Sequence, residues 1–422
     1  MLKRYFCAAF LLIACFLQRA TGDAAPPRLT PEQMQRIDAA MTAVIARERI
    51  AGMSIGVARN GAIMYARGYG YRDAGLKHTS EATTIYQVGS LTKQFTAAAV
   101  LMLVRDGKLS LDAPLRVAIP EYVKGGLVTV RELLTQTSGI ADYTPAPSQS
   151  PSQILKTVQE NELHFKPGER FEYSNTNYLL LGMMIERVSG VPYGEYIRTH
   201  IILPLHLTAT SYTDLSKTAG NLAQGTAYTE HGFVPASVPS MSGVFSAGAL
   251  SSNVIDLSTW DAALWQGRVV PRNLATLMMT QQMLPDGAGS GYGMGLMISK
   301  IYGRTVVMHT GAIDGFSTFS GTVANTGTEI TVLTNTSNVD TIAIAKSLIG
   351  IITPPTQSEL RASEFRPAKN EDLAVTTRLK TLIAEIASGT LDRSELTDSF
   401  SRYLTDEKLK PGVAYLASLG PP

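Results

Sequence analysis

A chain of 422 residues and 45.4 kDa is long enough to bury a large core and to form more than one domain. With 45% hydrophobic and 17% charged residues it is not a disordered chain, and its 36 glycines follow no collagen period. Lys and Arg number 37 against 35 Asp and Glu, so no strong field favours nucleic acid.

Lys3 and Arg4 precede an apolar stretch from Tyr5 to Leu17, which is too short to span a bilayer comfortably. Ala20, Gly22, Ala24 and Ala25 follow, so residues 1–24 read as a secretory signal peptide. Cleavage after Ala24 leaves 34 basic and 34 acidic residues and removes both cysteines, Cys7 and Cys15. The alternative is a lipoprotein box, Leu12-Ile13-Ala14-Cys15, with a lipid anchor on Cys15. Either way, export across a bacterial inner membrane, with a periplasmic destination, is expected.

Thr30-Pro31-Glu32-Gln33 has the spacing of a capping box with proline at the first helical position. A helix follows, then a strand from Gly52 to Ala58, the turn Asn60-Gly61 and a return strand from Ala62 to Tyr69. From Ser90 to Val270 the patterns are mostly helical, at 92–104, 130–134, 177–188 and 256–265, with a polar loop from Thr144 to Ser152. Strands return at 304–309, 315–323 and 329–335, followed by a helix at 339–349. Residues 353–370 read as a linker, and 371–386 and 394–404 as helices of a small appendage spanning 371–422. Segregated helices and antiparallel strands predict an α+β fold: an antiparallel sheet flanked by helices, with an inserted, mostly helical domain.

Three short motifs carry candidate chemistry. In Ser90-Leu91-Thr92-Lys93, a helix opening at Ser90 sets Lys93 one turn on, on the same face, where an amine can activate the hydroxyl. The helix N-terminus adds positive potential near a developing anion. The ordinary reading of that tetrad is a capping serine beside a surface lysine. Tyr173-Ser174-Asn175 offers a phenol for proton relay and an amide that both donates and accepts. His309-Thr310-Gly311 ends an apolar strand, where glycine lets a substrate approach the main chain. The other histidines, at 78, 164, 200, 206 and 231, lack metal-site spacing. No Gly-x-Ser-x-Gly elbow, phosphate loop or dinucleotide fingerprint is present, and Gly291-Tyr292-Gly293-Met294-Gly295 reads as a loop into the sheet.

Taken in order, these motifs resemble the serine β-lactamase and penicillin-binding-protein superfamily. The resemblance is to the branch of class C β-lactamases, D-alanyl-D-alanine carboxypeptidases and related esterases. Leu133 to Gly139, Phe165 to Gly168 and Gly243 to Trp260 also look like that family. The resemblance implies a serine hydrolase domain over 28–352, with the sheet formed by 28–85 and 290–352 and the helical insert by about 90–285. It implies Ser90 as the acylated nucleophile, Lys93 as its proton acceptor or guide, and Tyr173 as relay to the leaving group. Asn175 is expected to hold the substrate amide, with His309, Thr310 and Gly311 also facing substrate. The main-chain N–H groups of Ser90 and Ala312 are the expected oxyanion hole. No metal or organic cofactor is implied.

Two positions depart from the pattern: Gln136 stands where histidine is usual, and His309 where β-lactamases of this branch carry lysine. A neutral histidine attracts a substrate carboxylate less than an ammonium does. A small ester or D-amino-acid peptide is therefore expected as substrate. A class C-like β-lactamase and a catalytically silent penicillin-binding or scaffold protein remain the alternatives.

Overall fold

The computed structural model describes residues 28–143, 149–212, 221–237, 241–363, 373–388 and 390–395. The signal segment, both cysteines, most of the loop at 144–152 and most of the helix expected at 394–404 lie outside these residues. The chain divides into two units after Ala362.

In the first unit, helix α1 spans Pro31–Glu48, and Thr30 and Gln33 form the reciprocal cap their spacing predicts. Strands β1 (Gly52–Arg59) and β2 (Ala62–Gly70) make the hairpin, with Asn60 and Gly61 both at positive φ in its turn. Four further strands complete one sheet: β3 (Met297–Ile301), β4 (Arg304–Ile313), β5 (Phe316–Val323) and β6 (Thr328–Thr334). Its order is β2-β1-β6-β5-β4-β3, antiparallel throughout. β3 follows residues 291–295, in keeping with the reading of that stretch as a loop into the sheet. Its register runs only from Met297 opposite Met308 to Ile301 opposite Arg304. Residues His309 to Ile313 of β4 therefore pair with β5 on one side and have no β3 partner on the other.

Both faces of the sheet are covered, so the inner strands are buried along their length rather than in alternation. Met53, Ile55 and Val57 pack with Ile37, Met41 and Val44 of α1, and with Ile344 and Leu348 of helix α5 (Thr341–Ile352). Burying each such side chain is worth about 1.5–3 kcal/mol. The opposite face meets helix α4 (Val254–Trp265), capped by the Asn253 side chain on Ile255 and Asp256 N–H. α4 comes so close that a Cβ on Gly56 would lie 3.0 Å from Val254 Cβ.

The insert centres on α2 (Thr92–Arg105) and α3 (Asn175–Ser189). Thr92 to Leu103 of α2 is buried on all sides, as a core helix should be. Short strands join the insert in a three-stranded sheet (Tyr86–Gln87, Leu250–Ser252, Ser211–Tyr212) and a hairpin (Thr226–Thr229, Gly232–Pro235), which the helical reading passed over.

Two loop readings need correction. The polar loop gives way to a helix at Pro151–Val158, capped by Ser150 with Gln153. The linker carries a helix at Gln357–Ser363, with Thr356 and Glu359 capping it reciprocally. Glu359 also takes a bidentate bond from Arg304 at the start of β4, both contacts 2.8 Å. That pair ties the helix to the sheet. In the second unit the described elements are the helix Leu373–Ser388 and a single turn at Arg393–Glu395.

Candidate active site

Ser90 lies in a 3₁₀ turn, Gly89–Leu91, that runs directly into α2. Gly89 adopts φ +55°, and a Cβ there would come within 3.1 Å of the Ala312 main-chain nitrogen. The turn thus rests against the unpaired end of β4, and the Thr318 hydroxyl holds it by donating to Val88 O at 2.9 Å. Gly311 makes this approach feasible, since a Cβ on it would sit 2.0 Å from Val88 O. Gly311→Ala is expected to wedge turn and strand apart. Such overpacking costs about 1–3 kcal/mol, read as a lower urea midpoint, together with lower activity.

Lys93 is fully buried. Its Nζ lies 3.0 Å from Ser90 Oγ, 2.8 Å from Asn175 Oδ1 and 2.9 Å from Ala247 O. Burial pulls its pKa down to about 7, against a smaller opposing pull from Asp142. The Asn175 oxygen and the Ala247 carbonyl can only accept. A neutral amine therefore spends both N–H groups on them and keeps its lone pair for the Ser90 hydroxyl. Nζ also sits 4.9 Å from the centre of the Tyr173 ring. Burial pushes the Tyr173 phenol well above its ordinary pKa, while the neighbouring Ser90 hydroxyl acts the other way. Tyr173 is thus a protonated phenol beside the Ser90 hydroxyl and the Lys93 amine.

The Tyr173 ring lies 6.1 Å from that of His309. His309 Nδ1 is 2.6 Å from Thr310 O, a carbonyl, so Nδ1 carries the hydrogen. Nε2 then accepts from the Tyr292 hydroxyl at 3.0 Å. Burial, with Lys93 nearby, pushes the ring pKa down to about 3, and the imidazole is neutral. Both ring nitrogens of His309 are thus engaged within the protein, and neither is left to donate to a substrate carboxylate. Asn175 is committed in the same way, its Nδ2 donating to Asp142 at 2.9 Å and its Oδ1 accepting from Lys93.

The sequence from 37 to 347 matches the family model described as Beta-lactamase. The chain belongs to the β-lactamase family. It is 31% identical over 311 residues to Protein flp of Staphylococcus aureus (strain COL), covering 69% of this chain and 61% of that protein. It thus spans about three fifths of the length of such curated relatives. A solved penicillin-binding protein homologue from Pyrococcus abyssi is 30% identical with a TM-score of 0.69, covering 75% of this chain and 77% of its own. A D-stereospecific amidohydrolase from a Streptomyces species is 28% identical with a TM-score of 0.64, covering 76% and 99%.

In this β-lactamase-family chain, Ser90, Lys93, Tyr173, Asn175 and His309 meet between the sheet edge and the helical insert. The remaining histidines stay apart: His78 pairs with Asp73, His164 with Glu172, and His200 stacks on Tyr196. Among the described residues, no group of three or more His, Cys, Asp or Glu could hold a metal, and no helix is long and apolar enough to cross a membrane.

Three participants had not been singled out as site residues. Gln136 Oε1 accepts from Ser174 N at 3.1 Å and Asn177 Nδ2 at 2.6 Å, so the departure from histidine shapes the loop that carries Tyr173. Tyr292, in the glycine-rich loop, holds His309. Asp142 caps α3 from outside, accepting from Asn175 N at 2.7 Å and Thr176 N at 3.2 Å. The Leu133–Gly139 stretch that resembles the family pointed to the first; a lone tyrosine and a lone aspartate gave no local signal.

Proposed function

We propose that this chain is a serine hydrolase acting through an acyl-enzyme on Ser90, with a small ester, amide or D-amino-acid peptide as substrate. The observation that carries this reading is the 3.0 Å contact between Ser90 Oγ and a buried Lys93 Nζ whose pKa is drawn down to about 7. Neutral Lys93 takes the hydroxyl proton as Oγ attacks the carbonyl. The N–H groups of Ser90 and Ala312 stabilise the oxyanion. Tyr173 relays to the leaving group the proton that Lys93 took from Ser90, giving up its own and regaining one from the Lys93 ammonium, and water then hydrolyses the acyl-enzyme ester. The unpaired edge of β4 at 309–313 suits a substrate main chain lying alongside it as an added strand.

The internal commitment of His309 supports neutral substrates over those presenting a carboxylate, which disfavours an efficient β-lactamase. The similarity to a D-stereospecific amidohydrolase supports an amide or peptide bond. Mass spectrometry after a fluorophosphonate tests the reading: a covalent adduct on Ser90, absent from Ser90→Ala, is expected. No adduct from either a fluorophosphonate or a β-lactam would leave a silent binding protein. Rates on p-nitrophenyl butyrate, a D-amino-acid amide, a D-Ala-D-Ala peptide and nitrocefin rank the substrates, with nitrocefin expected last. Export to the periplasm, proposed from Lys3, Arg4 and the apolar run alone, is tested by fractionation, and palmitate labelling of Cys15 separates an anchored from a free form.

A further inference from the structure

We infer that Asp142 is a positioning residue for acylation: its carboxylate fixes the Asn175 amide so that Oδ1, and not Nδ2, faces Lys93. This rests on the reading of Lys93 as the base for Ser90. Asp142 Oδ1 accepts from the main-chain nitrogens of Asn175, Thr176 and Tyr143, at 2.7, 3.2 and 3.0 Å, and Oδ2 from Asn175 Nδ2 at 2.9 Å. Each of these partners is an N–H donor, which favours the ionised carboxylate against the burial that pushes its pKa up.

A carboxylate has no N–H to offer, so the side of the Asn175 amide facing it must be the NH₂. The oxygen is thereby turned to Lys93, where it accepts one of the two amine hydrogens and leaves the lone pair aimed at Ser90. With the amide reversed, an NH₂ would face Nζ and compete for that lone pair. Asp142 thus sets the direction of a chain of hydrogen bonds that ends on the nucleophile. Ser174, the residue that would ordinarily cap α3, makes no side-chain capping bond. The cap comes instead from Asp142, and one carboxylate both starts the helix and orients its first side chain.

The titratable groups around Lys93 are Asp142, Tyr173, Tyr178 and His309. Burial keeps both phenols protonated and the imidazole neutral, so Asp142 is the charge among them that acts on the lysine. Being negative, it favours the ammonium form.

The test is kcat and KM for p-nitrophenyl butyrate across pH 5–9 in wild type, Asp142→Asn, Asp142→Glu, Asn175→Ala and the Asn175→Ala/Asp142→Asn double variant, with Lys93→Met as control. Asp142→Asn is expected to lower kcat about 10²-fold at optimal pH with KM little changed, as for misplaced catalytic groups. Its acidic limb should move to lower pH by about one unit, because the anion that favoured the ammonium is gone. Asp142→Glu keeps the charge and should keep the limb. In the Asn175→Ala background, Asp142→Asn should cost little more, since the amide it orients is absent. An unmoved limb in Asp142→Asn with additive losses in the double variant would reduce Asp142 to a helix cap and overturn the inference. If Asp142→Asn yields no folded protein, the same pair of readings on Asp142→Glu decides: a shifted limb, or losses additive with Asn175→Ala, overturns it. An active Lys93→Met would instead sink the reading of Lys93 as the base, and this inference with it.

Discussion

Replacing Lys93 with methionine is expected to lower kcat/KM by about 10³-fold, within the range for removing a general base. Lys93 Nζ lies within hydrogen-bond reach of Ser90 Oγ, and a serine without a base is a poor nucleophile at neutral pH. Lys93→Arg should do no better, since a guanidinium holds its proton and has no lone pair to accept another. In wild type, kcat/KM should rise as pH increases through about 7, where Lys93 passes from ammonium to amine. A stopped assay with an ester across pH 5–9 reads both effects. A profile flat through neutrality, or an active Lys93→Met, would mean that the proton leaves Ser90 by another route.

The second large effect concerns stability. Asp261 of α4 is buried against the sheet, where it accepts from Ser320 Oγ at 2.6 Å. Burial, with Glu329 nearby, pushes its carboxyl up to about 8. Glu329, itself buried and held by Gly61 N–H, is pushed up to about 7. Both are therefore bound more tightly to their protons in the folded than in the unfolded chain. Their contribution is complete below about pH 4 and is lost progressively as pH rises from about 4 to about 8. Asp261→Asn, nearly the same shape and still able to accept from Ser320, removes that loss. It should have little effect on the urea midpoint at pH 4.5 and raise stability by up to about 6 kcal/mol at pH 8.5, the span from about 4 to about 8 being four tenfold steps in proton affinity worth about 1.4 kcal/mol each. Equal effects at both values would mean that Asp261 is already ionised in the fold. The two buried systems pull in opposite directions: catalysis wants the alkaline side of pH 7, whereas the sheet is firmest on the acid side.

What the chain discloses locally, the structure follows closely. Thr30 with Gln33 announces α1, and Asn60-Gly61 announces the hairpin, because a cap or a tight turn is written in three or four adjacent residues. Helix α2 ends within a residue of its expected end. Ser90 and Lys93 were legible for the same reason, since one helical turn suffices to join them. Helix α3 begins two residues before its pattern suggests, because the carboxylate that caps it is 33 positions away. Tyr292 and His309 are 17 apart and meet only when β4 has paired and the glycine-rich loop has folded over it. The helix at Gln357–Ser363 had its Thr356 and Glu359 signal in plain view, outweighed by Pro354-Pro355 just before it. Long-range partners to single side chains are what a linear pattern does not carry.

The pairing of β1 with β6 at the centre of the sheet has a consequence for how the domain forms. Met53 lies opposite Thr334, so the two halves of that ladder are about 280 residues apart along the chain. The first hairpin can form early from local contacts, but it has no central neighbour until the last strand is made. Contacts of such separation come late, because loop-closure entropy must be met before they contribute. In a nascent chain Met53, Ile55 and Val57 can meet Ile37, Met41 and Val44 of α1 early, but their contacts with Ile344 and Leu348 of α5, and the pairing of β1 with β6, come only after the last strands have emerged. Folding of this domain is accordingly expected to be slow, and a truncation that removes β6 should leave no closed sheet and an aggregation-prone hairpin.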